Sequence, residues 1–424
     1  MLPRTGTITP VGTATCPECS APVPTEIGWT PWCSECNWNL DPIAEPPQTW
    51  ITRWQRRVLD EATRREHALL LKRAATDPGN HPLNRLVKLL AVSIHTVTIL
   101  ILGGAAAVWF LPIRAFFSGA LSLLLVLIAI GVMPFDGNLN HWRRRAQVHG
   151  WTRADAPNVF TLLDLVAASI DAPTPDRVLV TQDVNASIHR WERQTVLTIG
   201  IPLWGILDDK GRLALLGHEI GHQVNGDLRK NALVRPAILS LNKWLSLLWP
   251  STARERASLA GHRLWMGSQG GQLVIGDLLL PVLFAPLFLL ALTVGRTFEV
   301  CLSRSSQRAE YRADRMSVRV GGTVGACEAM DAALYADLVA FKLSIDARAG
   351  RQSSIDGLRE AVAKVPEHER ERLRRRERAR MQRVDETHPP TTLRRAYVEA
   401  APRVEHGVTP PAGLMPAVTR ELYR

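Results

Sequence analysis

Cysteine is scarce in this sequence, and its first residues lack the pattern expected of an export signal. Only 6 of the 424 residues are cysteine, too few for a scaffold held together by disulfides. The first fifteen residues, MLPRTGTITPVGTAT, contain no apolar core, so we do not expect a cleaved secretory signal. Paired thiols that stay in a reducing compartment bind metal more often than they oxidise.

Charge is distributed unevenly. The 51 Lys and Arg side chains against 40 Asp and Glu give a net charge of +11, and 46% of the residues are hydrophobic. This composition excludes a disordered chain and a collagen-like repeat. Two long stretches carry no charge while other segments are rich in arginine, which is typical of a membrane-anchored protein with soluble parts.

Two neighbouring apolar stretches predict a transmembrane hairpin. Residues 89–111 and 115–134 contain no charged side chain, and each is long enough to cross a hydrocarbon core of about 30 Å. Only Arg114 lies in the connection. The flanking basic residues are Arg73, Arg85, Lys88, Arg143, Arg144 and Arg145. The positive-inside rule therefore places both ends of the hairpin, and with them the N-terminus and the region after residue 140, in the cytoplasm.

Two later segments are also candidates for membrane contact. Residues 273–295 carry only Asp277 as a charged residue, and we expect a third span there, with this carboxylate near an interface or a polar cavity. Residues 232–249 contain Arg235 and Lys243. They fit either a fourth span or a helix lying in the interface.

Four of the cysteines form two Cys-x-x-Cys pairs. Cys16 and Cys19 are separated by thirteen residues from Cys33 and Cys36. Each pair can present two thiolates to one Zn²⁺, and four thiolates complete a tetrahedron. A segment of this size buries too little apolar surface to fold unaided, which favours a structural zinc over a redox or disulfide pair. No dense basic patch surrounds the pairs, which argues against nucleic acid as the partner.

The strongest chemical signal is the run His218-Glu219-Ile220-Gly221-His222. Positions i and i+4 share one face of a helix, so both imidazoles can reach one zinc ion. Glu219 is rotated by about 100° from His218 and can act as general base on a zinc-activated water. The alternative, a surface helix with two histidines, fits poorly with the apolar residues before the motif.

A third zinc ligand is expected from another helix. In SRSSQRAEYRADR (residues 303–315), Glu310 and Asp314 are four residues apart and share a helical face. Glu310 can complete a site with His218 and His222, and Asp314 can accept the second N–H of a ligating histidine. Taken alone, these two carboxylates would also fit a charged solvent-facing surface.

Local patterns predict several further elements. We expect a helix over residues 47–77, another over 158–168, strands at 177–181 and 195–199, and a helix near Gly211 capped by Asp208 or Asp209. Residues 318–365 read as soluble helices. The arginine-rich run 367–383 predicts a solvated helix with i,i+4 ion pairs, and contact with anionic lipid or nucleic acid is the weaker alternative.

Together, HEIGHQVNGD, the apolar spans before and after it and SRSSQRAEYRAD resemble the HtpX-like membrane zinc metallopeptidases, gluzincins related to the CAAX prenyl proteases. The resemblance covers roughly residues 85–400. It implies a mainly α fold with a small β-sheet, to which this chain adds an N-terminal zinc-ribbon-like module. By resemblance, His218, His222 and Glu310 bind zinc, Glu219 is the catalytic base and Asp314 supports a ligand.

Two weaker matches extend the resemblance. Asn185-Ala186 resembles an element that leads into the edge strand on which an extended substrate pairs. His388-Pro389-Pro390 with Arg394 resembles a late element near the active site. The resemblance leaves open whether His388 or Arg394 stabilises the oxyanion.

The expected function is a multi-pass membrane endopeptidase with its catalytic domain in the cytoplasm. It would hydrolyse peptide bonds of membrane or misfolded proteins, with one catalytic zinc and one structural zinc. Its partners would be polypeptide substrates and the lipid bilayer, and its oligomeric state is left open. The alternative is a non-catalytic membrane sensor or scaffold that binds a partner through the cysteine module.

The expected organisation has seven segments. They are a zinc-ribbon-like module (1–45), an amphipathic linker (46–84), the transmembrane hairpin (85–135), the first part of the protease domain (140–231), membrane-associated segments (232–298), the second part of the protease domain (299–400) and a C-terminal tail (401–424).

Overall fold

The computed structural model describes residues 12–41, 61, 63–79, 81–110, 150–191, 194–248, 270–351, 353–379 and 389–424. Four predicted features lie outside these residues: the apolar stretch 115–134, the connection at Arg114, the basic flank 143–145 and His388. The chain divides into two units. The first contains Met1–Gly79, His149–Asn225 and Ser306–Arg424, and the second contains Asn80–Val148 and Gly226–Ser305.

Helices dominate the described residues. The helices are α1 Leu83–Phe110, α2 Pro157–Ser169, α3 Ile201–Ile206, α4 Asp209–Val224, α5 Asp227–Leu248, α6 Gly270–Leu334, α7 Ala336–Arg348, α8 Ile355–Ala363, α9 Glu367–Ala379, α10 Thr391–Ala400 and α11 Leu414–Leu422. The strands are β1 Gly12–Thr15, β2 Pro22–Thr25, β3 Arg177–Thr181, β4 Ala186–Trp191 and β5 Gln194–Gly200. The predicted mainly α fold with small sheets is confirmed.

The first unit contains a three-stranded sheet in the order β3-β5-β4. Strand β5 runs parallel to β3 and antiparallel to β4, with Leu197 paired to Val178 on one side and to Ile188 on the other. The two predicted strands are confirmed, and the apolar TVLTI run forms the centre of the sheet. Strands β3 and β4 lie at the two edges of the sheet, and β4, which begins at Ala186, is more polar than β5.

Residues of the C-terminal segment pack on α2. Glu421 of α11 accepts hydrogen bonds from the backbone N–H groups of Asn158 (3.2 Å) and Val159 (2.9 Å). These are free donors in the first turn of α2, where a carboxylate also interacts favourably with the helix dipole. Leu414, Val418 and Leu422 of the same segment are buried or nearly so, so this segment is ordered and packed.

Gly322 interrupts the long helix α6. Its backbone is non-helical, with φ 74° and ψ 170°, a region that glycine enters without steric cost. A Cβ at this position would lie 3.1 Å from the carbonyl oxygen of Val404. Glycine is therefore favoured here for two reasons: the backbone has a positive φ, and the C-terminal segment passes close to it.

The second unit holds a cluster of apolar side chains from α1, α5 and α6. Val87, Ala91 and Ile94 of α1 are buried in the same cluster as Ala237 of α5 and Phe298 of α6. His95, inside the first apolar stretch, lies with Nε2 2.9 Å from the carbonyl oxygen of Leu233. The polar ring thus has a partner where water would be excluded.

By length and composition, two helical segments among the described residues could cross a membrane. They are Leu83–Gly104 and Ala285–Leu334. On α1 the side chains of Leu89, Ile99 and Leu100 are each more than 60% exposed. A helix of this length with an exposed apolar face is costly in water and stable in hydrocarbon.

The arginine-rich helix differs from its prediction. In α9, Glu369 and Arg372 are buried and bonded to each other through two contacts of 2.7 Å. The predicted i,i+4 pairing is present between Arg375 and Glu371 at 2.9 Å. One face of this helix is covered by the N-terminal cysteine module, which no local sequence pattern indicates.

Two candidate metal centres

The histidine motif lies on a well-capped helix. Asp208 precedes α4 and its carboxylate accepts a hydrogen bond from Gly211 N–H at 2.7 Å. Such a cap satisfies a donor that the first turn leaves without an intrahelical partner. The predicted capping role of Asp208 is confirmed. Leu213 and Leu216 are buried, which anchors the helix in the interior.

Two glycines let α4 approach α6 closely. A Cβ at Gly217 would lie 2.8 Å from the Val320 side chain, and one at Gly221 would lie 3.0 Å from Met316. Each of these glycines directly precedes a histidine of the motif. The absence of two side chains therefore brings the backbone of α4 against the helix that carries Glu310.

His218, His222 and Glu310 converge on one point. Each offers a ligand atom, and these atoms all lie within 4.8 Å of one another. His218 Nε2 is 3.4 Å from Glu310 Oε2, and His222 Nε2 is 3.6 Å from Glu310 Oε1. Two imidazoles and a carboxylate are a common donor set for catalytic zinc. The three side chains could hold a metal ion, and the donor chemistry fits Zn²⁺.

Asp314 and Arg394 surround the outer side of His218. Asp314 Oδ1 is 3.2 Å from His218 Nδ1. Arg394 donates to Asp314 from Nε at 2.9 Å and from Nη2 at 2.5 Å, and its Nη1 is 3.5 Å from Glu310 Oε2. A carboxylate on the second ring nitrogen fixes the tautomer and orientation of a ligating histidine.

Burial and charge act in opposite directions on these groups. Burial alone would raise the pKa of Asp314, but the adjacent Arg394 holds that pKa below its ordinary value. Burial and the charge of Arg394 both disfavour a protonated His218, yet the hydrogen bonds to Asp314 and Glu310 raise its pKa to about 9. The lowered pKa of Asp314 favours its anionic form beside the ring.

Glu219 lies on α4 between the two histidines and is 8% exposed. Its place next to His218 on the helix agrees with the position that a general base takes in this motif.

The comparison with known families decides the identity. The family model for peptidase family M48 matches residues 154–401, more than half of the chain. The chain belongs to peptidase family M48. No curated protein and no solved structure matches it.

M48 peptidases are zinc-dependent metallopeptidases, so the predicted metallopeptidase is confirmed at the level of the family. The matched region contains His218, His222 and Glu310, and it excludes the cysteine pairs and α1. The resemblance to the HtpX and CAAX protease group is supported to the same degree.

Of the remaining predicted site residues of this M48 peptidase, Asn185 and Ala186 lie at the start of strand β4 and Arg394 lies at the histidine site. Ala186 begins the edge strand β4, and Asn185 accepts a backbone hydrogen bond from Gly200 N–H at 2.9 Å, which ties the strand entrance to the end of β5. Strand β4 packs against α4. Arg394 lies at the histidine site, whereas His388 falls outside the described residues.

Sequence reasoning missed a set of contacts on the helix that carries Glu310. Residues 63–71 are helical and contact the part of α6 near Glu310. His67 Nδ1 lies 3.2 Å from Tyr311 Oη, Glu66 pairs with Arg308, and Thr63 accepts from Gln307 at 2.9 Å. These pairs are more than 240 residues apart, so no local pattern could have revealed them.

The cysteine module forms a second candidate centre. The four thiols of Cys16, Cys19, Cys33 and Cys36 lie within 4.8 Å of one another. Cys16 Sγ is 3.6 Å from Cys36 Sγ, and Cys19 Sγ is 3.5 Å from Cys33 Sγ. These contacts join one pair to the other, which is the arrangement for four thiolates around one ion.

The two cysteine loops have the same backbone design. Ser20 N–H donates to Cys16 O and Asn37 N–H donates to Cys33 O, each at 3.0 Å. Ser20 and Asn37 both have left-handed backbones, with φ of 62° and 61°. Two equivalent turns that aim four thiols at one point fit Zn²⁺. Without a metal, such a small module would have little apolar interior to stabilise it.

Proposed function

We propose that this M48 peptidase is a membrane-embedded endopeptidase that hydrolyses peptide bonds of membrane or misfolded proteins. The observation that carries the proposal is the convergence of His218 and His222 with Glu310, which comes from a helix more than 85 residues downstream. A convergence of three zinc-type donors over such a separation requires the whole fold to place them.

Different residues of the protein carry out different parts of the proposed reaction. When bound, Zn²⁺ supplies polarisation of the scissile carbonyl and a lowered pKa for the attacking water. Glu219 takes the proton that the water loses and delivers it to the nitrogen of the leaving amine. Asp314 holds His218 in one tautomer through Nδ1, and burial of the site limits competing water.

The edge of the sheet provides the proposed substrate site. Strand β4 pairs with β5 on one side, and among the described residues no strand pairs with its other side. Because β4 packs against α4, a peptide that adds to this edge would run beside the histidine motif. Main-chain hydrogen bonds then bind the substrate with little dependence on its sequence, which suits a peptidase for misfolded proteins.

The role of Arg394 follows from its partners. Its Nε and Nη2 donate to Asp314 and its Nη1 lies 3.5 Å from Glu310 Oε2, so its three nitrogens face carboxylates of the site. We assign it to positioning Asp314 and His218. The resemblance leaves open whether His388 or Arg394 stabilises the oxyanion, and with Arg394 in a positioning role we propose His388 for it.

The membrane assignment rests on two apolar segments. The first is α1, with its exposed leucine and isoleucine face, and the second is the proposed span 273–295 within α6. Together with the uncharged stretch 115–134, they give a multi-pass protein. The basic flanks of the hairpin support a cytoplasmic location for the cysteine module and the catalytic residues.

A substitution at Glu219 tests the peptidase function. We expect wild-type protein purified in detergent to cleave casein or itself, and Glu219→Gln to lose at least about 100-fold in kcat, the lower end of a general base's contribution, while zinc stays bound. Chelation should abolish the wild-type activity, and Glu360→Gln, a change at an exposed carboxylate, should leave it intact. Equal inertness of wild type and Glu219→Gln in several detergents, with zinc bound to both, would favour the non-catalytic sensor or scaffold instead.

A further inference from the structure

The cysteine module rests on the arginine-rich helix α9 through polar contacts. Trp32 donates from its indole N–H to His368 O at 3.1 Å, and Arg372 donates to Leu40 O at 2.9 Å. Arg375 donates to Ser34 O and lies 5.3 Å from the centre of the Trp32 ring. Three side chains thus hold the module to one face of α9.

Arg375 forms hydrogen bonds with the second cysteine loop, which contains Cys33 and Cys36. Ser34 lies between Cys33 and Cys36, and Asn37, whose Oδ1 accepts from Arg375 at 3.3 Å, directly follows Cys36. The shape of this loop depends on its thiolates being held together, because metal binding and folding are linked in such modules. Ser34 O and Asn37 Oδ1 are therefore in place to accept from Arg375 only while the four cysteines hold this loop in its folded shape.

Near the C-terminal end of α9, two residues after Arg375, Glu377 contacts the helix that carries Arg394. Glu377 Oε1 accepts a hydrogen bond at 2.5 Å from Thr391 N–H, the first residue of α10. The residue before it, Pro390, provides no side-chain cap. A carboxylate at this position satisfies a free donor and interacts favourably with the helix dipole. Glu377 of α9 therefore caps α10.

Arg394 lies one turn further along α10. From there it reaches Asp314, which contacts His218. The contacts form a continuous series within the first unit, from the second cysteine loop through Arg375 and Glu377 to Arg394. Side-chain hydrogen bonds join the cysteine loop to Arg375, Glu377 to Thr391 N–H and Arg394 to Asp314, and the helices α9 and α10 connect these contacts.

We propose that Arg375 and Glu377 are positioning residues of the peptidase centre: the metal-loaded cysteine module docks α9, and α9 holds α10 so that Arg394 reaches Asp314. Loss of the cysteine-bound metal then loosens α9 and α10 together. The peptidase site loses the alignment of Asp314 and His218, although no cysteine lies in it. The link to catalysis, but not the link to helix order, rests on the proposed function.

Backbone hydrogen exchange of the full-length protein tests the helix order. We expect Arg375→Ala to speed exchange in both α9 and α10 by about fivefold, the effect of losing one capping-scale interaction. Glu377→Ala should speed exchange in α10, and Glu377→Gln, which keeps an oxygen acceptor, should restore much of the protection. Exchange in α2, which Glu421 caps independently, should not change in any variant.

Two controls separate docking from general damage. Arg378→Ala removes an exposed arginine from the same helix and should leave exchange at the wild-type rate. Cys33→Ser removes a thiolate and should reproduce the Arg375→Ala pattern. Because Cys33→Ser can also unfold the loop, Arg375→Ala is the decisive variant, since it keeps all four cysteines. Unchanged protection of α10 in Arg375→Ala overturns the proposal.

Two measurements report on the catalytic site: the rate of zinc release from the histidine site, and the separate effects of each variant on kcat and on KM. We expect Arg375→Ala and Glu377→Ala to release zinc from the histidine site several-fold faster, and to lower kcat with little change in KM. Zinc release at the wild-type rate, with α10 loosened, overturns the link to the site. A wild-type protein that holds zinc but cleaves nothing refutes the proposed function, while exchange and zinc release still decide this proposal.

Discussion

Arg394 binds Asp314 through two hydrogen bonds, Nε to Oδ2 at 2.9 Å and Nη2 to Oδ1 at 2.5 Å, with the carboxylate wholly buried. The same carboxylate faces Nδ1 of His218. Breaking a buried ion pair leaves an uncompensated charge, which costs far more than breaking an exposed one. The carboxylate thus connects His218, a candidate zinc ligand, to a residue 176 positions away.

Asp314→Asn should weaken zinc binding at the histidine site by about 10–100-fold, the usual effect of removing a carboxylate behind a ligating histidine. The measurement is competition for zinc with a chelator of known affinity. The matched control is Asp164→Asn, because Asp164 forms a similar two-bond pair with Arg153 at the surface. Zinc affinity equal to the wild type in Asp314→Asn would show that the contact with His218 has no role in metal binding.

The zinc content of the purified protein should separate the two centres. We expect two zinc ions per chain in the wild type, one in His222→Ala and one in a Cys16→Ser/Cys33→Ser double variant, measured by elemental analysis. Cys301→Ser and Cys327→Ser serve as controls, because both cysteines are buried and lie outside the four-thiol cluster. Loss of the second ion on changing Cys301 or Cys327 would contradict the assignment.

Gly217→Ala should destabilise the protein by about 1–3 kcal/mol, since the new methyl group would overlap Val320 at 2.8 Å and force α4 and α6 apart. Thermal unfolding measures the loss, and faster zinc release should accompany it. Gly103→Ala provides the comparison, because nothing lies within 4 Å of the Cβ it would add. Equal melting temperatures for the two variants would disprove the close approach.

Glu328→Gln should stabilise the protein at high pH. Burial, followed by its hydrogen bond with Asp208, raises the pKa of Glu328 to about 8. The folded state therefore holds this proton more tightly than the unfolded chain, and the stability it gives is present at low pH and lost as pH rises through about 8.

The comparison for this substitution is made at two pH values. The melting temperature of Glu328→Gln should be close to that of the wild type at about pH 5 and should exceed it at about pH 9. Glu360→Gln is the control, since Lys364 lowers the pKa of that exposed carboxylate and no gain at high pH is expected. A wild type that melts higher than Glu328→Gln at alkaline pH would rule out the raised pKa.

Leu100→Arg should reduce membrane integration. Leu100 is 68% exposed on α1, and an arginine near the centre of a span costs about 2.5–3.5 kcal/mol on insertion scales. The share of the protein that resists alkaline extraction of membranes should fall severalfold. Ile27→Arg changes an equally exposed apolar residue of the cysteine module and should leave this share unchanged; an equal loss in both would point to a general folding defect.

Much of the candidate site could be predicted because helical periodicity is a local property. The spacing of His218 and His222, the cap at Asp208, the strands around residues 177–199 and the two cysteine pairs all depend on a few neighbouring residues. The carboxylate of Glu310, predicted as the third ligand, lies beside the ring nitrogens of the two histidines. Its function as a zinc ligand stays a prediction.

Other features could not be predicted because they depend on packing between distant segments. The charge pattern of α9 predicted a solvated helix, yet Arg372 is buried and binds Leu40 O. The local sequence pattern is the same for an arginine that pairs with a glutamate at the surface and for one that pairs with a glutamate buried under the cysteine module.

Side-chain types and their spacing along the chain were enough to predict which residues are candidates to ligate zinc, which is the candidate base, and which stretches are apolar enough for a bilayer. Only the folded chain shows how these groups contact one another. Arg394 forms two hydrogen bonds with Asp314, and α4 approaches α6 closely at two glycines. The cysteine module packs on α9. Donor chemistry and helical period are set by side-chain type and spacing, whereas contacts across hundreds of residues are set by how buried surfaces fit together.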